Sequence, residues 1–367
     1  MSEAPLIVLA AGGTGGHLFP AEALGAELQR RGARVRLVTD ARALRYGGLF
    51  TPDMIDVVPS ETLRGRNPLS LAKTALTLAG GTARALLLLR RLKPAAVVGF
   101  GGYPTLPPLW AARLAGIPSL IHDANAVLGR ANRQLSGQVG AIATSFPGVL
   151  AYDAGLAAKA TLTGNPVRPA ILAAAATPYD PPRSSGPLRL LVFGGSQGAR
   201  VMADIVPGAI ERLEPALWDH LELTQQVRDE DMARVRAVYD RLRIRAELAP
   251  FFTDLPARMA ASHLVISRSG AGTVAELAAI GRPAILVPLP GALDQDQFAN
   301  AGVLDEAGGA IRIAQADFTP DRLAAEISRL AAEPAQLAAM AGAARAAGRP
   351  DAAIRLADLV MAVAKLV

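Results

Sequence analysis

The sequence has no cysteine. Disulfides, thiolate nucleophiles and thiolate-bound metals are therefore excluded. A zinc site would have to come from carboxylates and four dispersed histidines, His17, His122, His220 and His263. Aromatic residues make up only 4% of the chain, and its arginines are spaced along predicted helices without interleaved rings. A stacking platform for single-stranded nucleic acid is missing, and no nucleic-acid partner is expected. No basic segment precedes the first apolar run, and that run is short and ends in glycines, so neither a signal peptide nor a membrane span is predicted. The common nucleotide signatures also fail: G-x-G-x-x-G begun at Gly13 meets Leu18, and no G-K-[S/T] follows either glycine-rich turn.

What is present is 51% hydrophobic content over 367 residues, enough for two or three cores. Leu6 to Ala10 runs into Gly12-Gly13-Thr14-Gly15-Gly16-His17, and Leu190 to Phe193 runs into Gly194-Gly195-Ser196-Gln197-Gly198. Two strand-glycine-helix units half a chain apart predict two nucleotide-type α/β domains. Glycine lets a backbone approach an anion, and a helix N-terminus presents N–H groups and a positive dipole end. Phosphate-bearing ligands are therefore expected.

Further strands are predicted at Arg34 to Thr39, Ala95 to Gly99, Ser119 to His122 and Ala141 to Thr144, and then at Glu222 to Gln225, Leu264 to Ser267 and Ala284 to Val287. The alternation breaks at Gly164-Asn165-Pro166 and a Pro/Ser-rich stretch, which predicts domains at 1–164 and 165–347. Residues 351–366 form an amphipathic helix in this scheme. Residues 1–164 hold 17 Lys and Arg against 9 Asp and Glu, a net of +8, and the whole-chain +6 leaves −2 for the remainder. An anionic membrane surface or a phosphorylated substrate suits that half.

Ligands of open α/β sheets bind beyond the carboxyl ends of strands. His17 falls there, at a helix start whose dipole favours a neutral imidazole able to act as a base. Gly101-Gly102 after the third predicted strand is equally well explained by a tight turn. In the second half, Ser269 to Thr273 leads from a strand into a helix carrying Glu276. That acid either complements the helix dipole or accepts two ribose hydroxyls. Asp294 to Gln297 lies one strand-turn later. The Asp-x-Asp spacing occurs past residue 165 at Asp294/Asp296 and at Asp229/Asp231, the latter on a predicted surface helix.

With these motifs assembled, the chain closely resembles the MurG family over nearly its whole length. The resemblance rests on G-G-T-G-G-H (Gly12 to His17), G-G-Y (Gly101 to Tyr103), G-N-P-V-R (Gly164 to Arg168), G-G-S-Q-G-A-R (Gly194 to Arg200), S-R-S-G-A-x-T-x-x-E (Ser267 to Glu276) and D-x-x-Q-x-x-N-A (Asp294 to Ala301). It implies a GT-B architecture: two Rossmann-like domains facing a cleft, with a C-terminal helix, about 348–367, returning to the N-terminal domain. It implies transfer of GlcNAc from UDP-GlcNAc to the lipid I acceptor, without a cofactor, in peptidoglycan synthesis. The N-terminal domain would face acceptor and membrane, and the C-terminal domain would hold the donor. Expected surroundings are the cytoplasmic face of the membrane, peripherally, and a cell-wall synthesis complex.

Carried over by motif, Arg168 and Ser196 would contact the diphosphate side, the backbone at Phe252 the uracil, and Ala271, Gly272 and Thr273 the phosphate-facing turn. Glu276 would hold the ribose hydroxyls and Gln297 the sugar. Thr14, Gly15, Gly16 and Asn125 would complete the site. His17 is the first candidate for the base in an inverting, metal-independent reaction, with Asp123 the second.

The chain departs from the family at His122-Asp123-Ala124-Asn125, where H-E-Q-N is usual, and at Asp296, Phe252 and Thr105. The leucines and arginines between Leu69 and Lys93 predict a helical pair with apolar and basic faces. Two rival functions are a Rossmann oxidoreductase, with Asp40 as its ribose acid, and a GT-B transferase with another acceptor. A binding homologue that has lost catalysis is a third.

Overall fold

The computed structural model describes residues 4–40, 48–61, 68–183, 186–195 and 198–366. The chain divides into two compact units, residues 1–168 with 350–367, and residues 169–349. The crossings fall at Arg168-Pro169 and Arg349-Pro350, so Arg168 lies on the N-terminal side, a few residues beyond the boundary expected at 164.

The first unit contains β1 (Leu6–Ala10), β2 (Arg34–Thr39), β3 (Ile55–Val57), β4 (Ala96–Gly99), β5 (Ser119–Asp123), β6 (Ala141–Thr144) and β7 (Ala160–Leu162). They form one sheet in the order β3-β2-β1-β4-β5-β6-β7, and every pairing is parallel. The second unit contains β8 (Leu188–Phe193), β9 (Leu221–Gln226), β10 (Arg245–Ala249), β11 (Leu264–Ser267), β12 (Ala284–Leu286) and β13 (Ala310–Arg312). Their order is β10-β9-β8-β11-β12-β13, again all parallel. Strand order reverses between β1 and β4 and between β8 and β11, so each unit has a switch point at its first glycine turn.

β1 and β4, at the centre of the first sheet, are unbroken apolar runs because helices cover both faces of a parallel sheet. Leu6–Ala10 is buried throughout. The helix Ala352–Val363 helps cover the first sheet: Leu356, Ala357 and Val360 join the core made by Ile7, Leu9, Leu24 and Leu28. Each fully buried leucine or valine contributes about 1.5–3 kcal/mol. Arg31 clamps the helix from outside, with an Nη1 donor 2.6 Å from Asp358 and an Nη2 donor 3.2 Å from the Ile354 carbonyl.

Pro68–Leu92 is one continuous helix where a pair was expected. Gly80-Gly81 marks a close approach and not a break, since a Cβ at Gly81 would stand only 2.2 Å from the Pro59 carbonyl oxygen. No helix among the described residues is long and apolar enough to cross a membrane.

Candidate active site

In the first unit the β1 and β4 turns meet at the switch point. Gly12 N–H donates to the Gly101 carbonyl at 3.1 Å. Gly101 and Gly102 have φ of +90° and +78°, conformations that other residues adopt only with strain. Thr105 braces this turn with its hydroxyl 2.7 Å from the Gly102 carbonyl, so the departure from serine keeps the required donor.

The His17 imidazole lies against both turns. A Cβ at Gly12 would stand 3.1 Å from Nδ1, and one at Gly101 would stand 3.2 Å from Nε2. Thr14, the N-cap of helix Gly15–Arg30, makes no side-chain capping bond. Its Oγ1 lies 3.0 Å from His17 Nδ1 instead. If Nδ1–H donates to that hydroxyl, Nε2 is the unprotonated ring nitrogen. The glycines therefore serve both explanations, giving a turn conformation and making space for the imidazole.

Gly15 has a different use: its missing side chain makes room for the Phe19 ring one turn later, 3.0 Å from where a Cβ would be. The Arg168 guanidinium stacks over that ring at 4.8 Å from its centroid. The same arginine favours the charged form of half-buried Glu22, but desolvation is larger and leaves the Glu22 carboxyl raised above its usual value. Gly16 is exposed, and a side chain added there would meet nothing within 4 Å.

Asp123, the second base candidate, is placed differently from expectation. It is 2% exposed. Oδ1 accepts from Asn125 N–H at 3.0 Å, and Oδ2 accepts from Gly129 N–H at 2.8 Å and Asn132 Nδ2 at 2.9 Å. These bonds direct the carboxylate into its own loop. His122 is fully buried, its Nε2 3.1 Å from the Gly164 carbonyl and 3.3 Å from Ser145 Oγ. Burial pushes its imidazole down to about 4, so it is neutral and structural. Asn125 lies partly exposed on the loop that Asp123 ties.

In the second unit, Ser196 lies outside the described residues. Around it, a Cβ at Gly194 would stand 2.1 Å from Ala199 N, which makes glycine obligatory at that tight turn. Gln226 Oε1 accepts from Gly194 N–H at 2.9 Å, and Arg228 Nη2 donates to the Gly198 carbonyl at 3.1 Å. Sequence reasoning missed Arg228 and Asn132. A cation at the carboxyl end of a strand was a usable signal for Arg228. No local pattern marks Asn132.

β11 ends at Ser267, Arg268-Ser269 follow it, and Gly270 caps helix Ala271–Ile280. Side chains at Gly270 or Gly272 would also meet nothing within 4 Å. No acid occupies the first turn of this helix. Glu276 lies beyond it, where the dipole term has largely decayed. Ser269 Oγ donates to the Gln297 carbonyl at 2.8 Å, and Gln297 Oε1 accepts from Leu289 N–H at 3.0 Å. The two motifs thus join at one strand end, with the Gln297 amide oriented by the backbone.

Asp294 and Gln295 have φ of +55° and +54°. Desolvation raises the carboxyl of the neighbouring Asp296 above its ordinary value. Phe252 is buried, with the Arg258 guanidinium 4.4 Å from its ring centroid. It follows β10, on the other side of β8 from β11.

Comparison with known proteins agrees with this arrangement. A model of the glycosyltransferase family 28 N-terminal domain matches residues 7–144, and one of the family 28 C-terminal domain matches residues 189–356. With the two Rossmann-like units, they define a two-domain glycosyltransferase of the GT-B type. A Bradyrhizobium sp. (strain BTAi1) protein named UDP-N-acetylglucosamine--N-acetylmuramyl-(pentapeptide) pyrophosphoryl-undecaprenol N-acetylglucosamine transferase is 78% identical over 365 residues, 100% of both chains. A Rhodopseudomonas palustris (strain BisB18) protein of the same name is 77% identical, over 98% of this chain and 96% of its own. The crystal structure of Acinetobacter baumannii MurG matches with a TM-score of 0.79 at 30% identity, over 98% of this chain and 99% of that one. The chain belongs to the MurG family.

Proposed function

We propose that this chain transfers GlcNAc from UDP-GlcNAc to the MurNAc 4-hydroxyl of undecaprenyl-pyrophosphoryl-MurNAc-pentapeptide, with inversion, without metal, and docked on the cytoplasmic face of the membrane. The observation that carries this reading is the set of open glycines at helix starts. At Gly16, Gly270 and Gly272 neither a positive φ nor internal packing calls for glycine. Close approach of a ligand to the helix N–H groups accounts for it.

Residues 169–349 are assigned the donor: the Ala271–Thr273 turn and Ser196 take the diphosphate, Glu276 the ribose hydroxyls, Gln297 the sugar and the Phe252 backbone the uracil. Arg168, held on Phe19, adds a cation to the diphosphate. The first unit is assigned the acceptor, and its Thr14, Gly15, Gly16 and Asn125 are assigned to substrate binding, completing the site described for the donor. His17 Nε2 takes the proton of the 4-hydroxyl as its oxygen bonds to the anomeric carbon. The bond from that carbon to the diphosphate oxygen breaks, and the electron pair leaves with UDP. Helix N-termini and Arg168 stabilise the departing charge.

On the Pro68–Leu92 helix, Leu76 and Leu87 are 74% and 69% exposed. Arg84, Arg90 and Arg91 are exposed on the same helix, and Arg84, Leu87 and Arg91 line a groove with Asp56. Exposed leucines beside arginines fit a lipid surface with anionic headgroups.

The test is GlcNAc transfer to a short-chain lipid I analogue by wild type and His17→Ala, with and without EDTA. Loss of a positioned base lowers turnover about 10²- to 10⁴-fold, with UDP-GlcNAc affinity nearly unchanged and no effect of EDTA. Near-normal transfer by folded His17→Ala rejects His17 as base. No transfer by folded, donor-binding wild type rejects the transferase reading in favour of lost catalysis.

A further inference from the structure

We propose that Arg268, braced by Gln315, is a positioning residue for the donor sugar: its guanidinium fixes the Pro288-Leu289 peptide, and that peptide orients the Gln297 carboxamide so that its NH2 group is the one offered to the sugar. The inference rests on the reading that Gln297 meets the donor sugar.

Arg268 stands just past the end of β11 and is buried. Its Nη1 donates to two successive carbonyls beyond β12, Val287 at 3.1 Å and Pro288 at 3.0 Å. Its Nη2 donates to Gln315 Oε1 at 2.5 Å, and Gln315 follows β13. One guanidinium thus ties the carboxyl ends of three neighbouring strands. The Pro288 carbonyl and the Leu289 N–H belong to one planar peptide unit, so a hold on the oxygen fixes the direction of the N–H. That N–H donates to Gln297 Oε1 at 3.0 Å. A backbone N–H can only donate, which settles which end of the carboxamide is oxygen. The Gln297 Nε2 donors are left for an acceptor, such as a sugar hydroxyl oxygen or an acetamido carbonyl.

The Gln297 main chain is held separately. Ser269 Oγ donates to its carbonyl at 2.8 Å, and Asn300 Nδ2 donates to the Ser269 carbonyl at 3.3 Å. Loss of the Arg268 hold would therefore free the direction of the side chain while the turn beneath it keeps its anchors. The guanidinium's partners are three neutral oxygens, with no carboxylate among the described residues. Burial lowers it below its ordinary value, and a buried cation without a counter-ion is costly. Packing alone does not call for such a group. A rigid planar fork that reaches acceptors beyond two strands does, and a lysine ammonium on its flexible stem cannot reproduce it.

The experiment measures the UDP-GlcNAc KM, the UDP inhibition constant and the thermal midpoint for Arg268→Lys, Gln315→Ala, Gln315→Glu and Gln297→Ala. Arg268→Lys and Gln315→Ala are expected to raise the UDP-GlcNAc KM about 3- to 10-fold, the scale of one lost hydrogen bond. The UDP inhibition constant stays at wild type, because UDP lacks the sugar. Gln315→Glu, which keeps an acceptor for Nη2, retains the wild-type KM. Added to Gln297→Ala, Arg268→Lys raises the KM no further, since its effect passes through that amide. An unchanged UDP-GlcNAc KM in folded Arg268→Lys, or in Gln315→Ala if the lysine variant does not fold, overturns the proposal. A UDP inhibition constant that rises in parallel overturns it in favour of a general loosening of residues 169–349. Gln297→Ala separates the two levels: an unchanged UDP-GlcNAc KM there rejects the underlying reading. A raised KM there with a normal one in Arg268→Lys and Gln315→Ala rejects the positioning role alone.

Discussion

The His17 imidazole rests on Gly101: a Cβ at Gly101 would lie 3.2 Å from Nε2, and the residue's φ of +90° gives the ring its seat. Gly12 closes the other side without a positive φ, its missing Cβ 3.1 Å from Nδ1. The two glycines therefore separate space from strain. Gly12→Ala should displace the imidazole and lower turnover at least tenfold with little change in thermal midpoint. Gly101→Ala should lower turnover and also destabilise by about 1–2 kcal/mol, the cost of a left-handed conformation. Transfer rates and thermal melts of both variants check this, and a fully active Gly12→Ala would remove the steric argument.

Glu276 lies past the first turn of its helix, so its removal should cost little helix stability. Glu276→Ala is expected to weaken UDP and UDP-GlcNAc binding by up to about 1.5–3 kcal/mol per lost charge-assisted hydrogen bond. Titration calorimetry decides it. Unchanged UDP affinity in a folded variant would withdraw the ribose assignment.

Membrane docking through the Pro68–Leu92 helix should depend on charge. Wild type is expected to bind vesicles containing anionic phospholipid more than neutral ones, less so as salt rises. Arg84, Arg90 and Arg91 changed together to glutamine should reduce that preference. Sedimentation with both vesicle types tests it, and equal partition would argue against electrostatic docking.

Stability should fall on mild acidification. Burial holds His122 near 4, below its ordinary 6.5, and burial with the Arg189 charge does the same to His263. Between those values the unfolded chain binds protons that the folded chain refuses, so unfolding free energy rises with pH across this window. The contribution is fully present above about 6.5 and is lost progressively down to about 4. Thermal melts from pH 7.5 to 4 should show the decline, and His122→Gln should flatten it. An unaltered slope in that variant would remove His122 as a cause.

The sequence alone determined the buried parts of both sheets and the family. Leu6–Ala10, Arg34–Thr39, Ala141–Thr144 and Leu264–Ser267 match their predicted limits; except in Arg34–Thr39, where Arg34 and Arg36 alternate with Val35 and Leu37, the signal is the apolar run of a strand covered on both faces. The strands it missed, Ile55–Val57, Ala160–Leu162, Arg245–Ala249 and Ala310–Arg312, are the outer strands of the two sheets. They are short and partly exposed, so no strong pattern is imposed on them, and pairing with an interior neighbour creates them.

Tertiary structure also decided what side chains do within the motifs. Asp123 was legible as an acid at a strand end, but three donors, one of them nine residues ahead, settle that it faces inward. Arg168 was legible as a cation in G-N-P-V-R, but its stacking on the Phe19 ring of the first unit was not. Gly81 has no room for a side chain because the Pro59 carbonyl occupies the space of its absent Cβ. Local pattern records how each segment is buried. Partners brought from distant positions are contacts that no window of sequence contains.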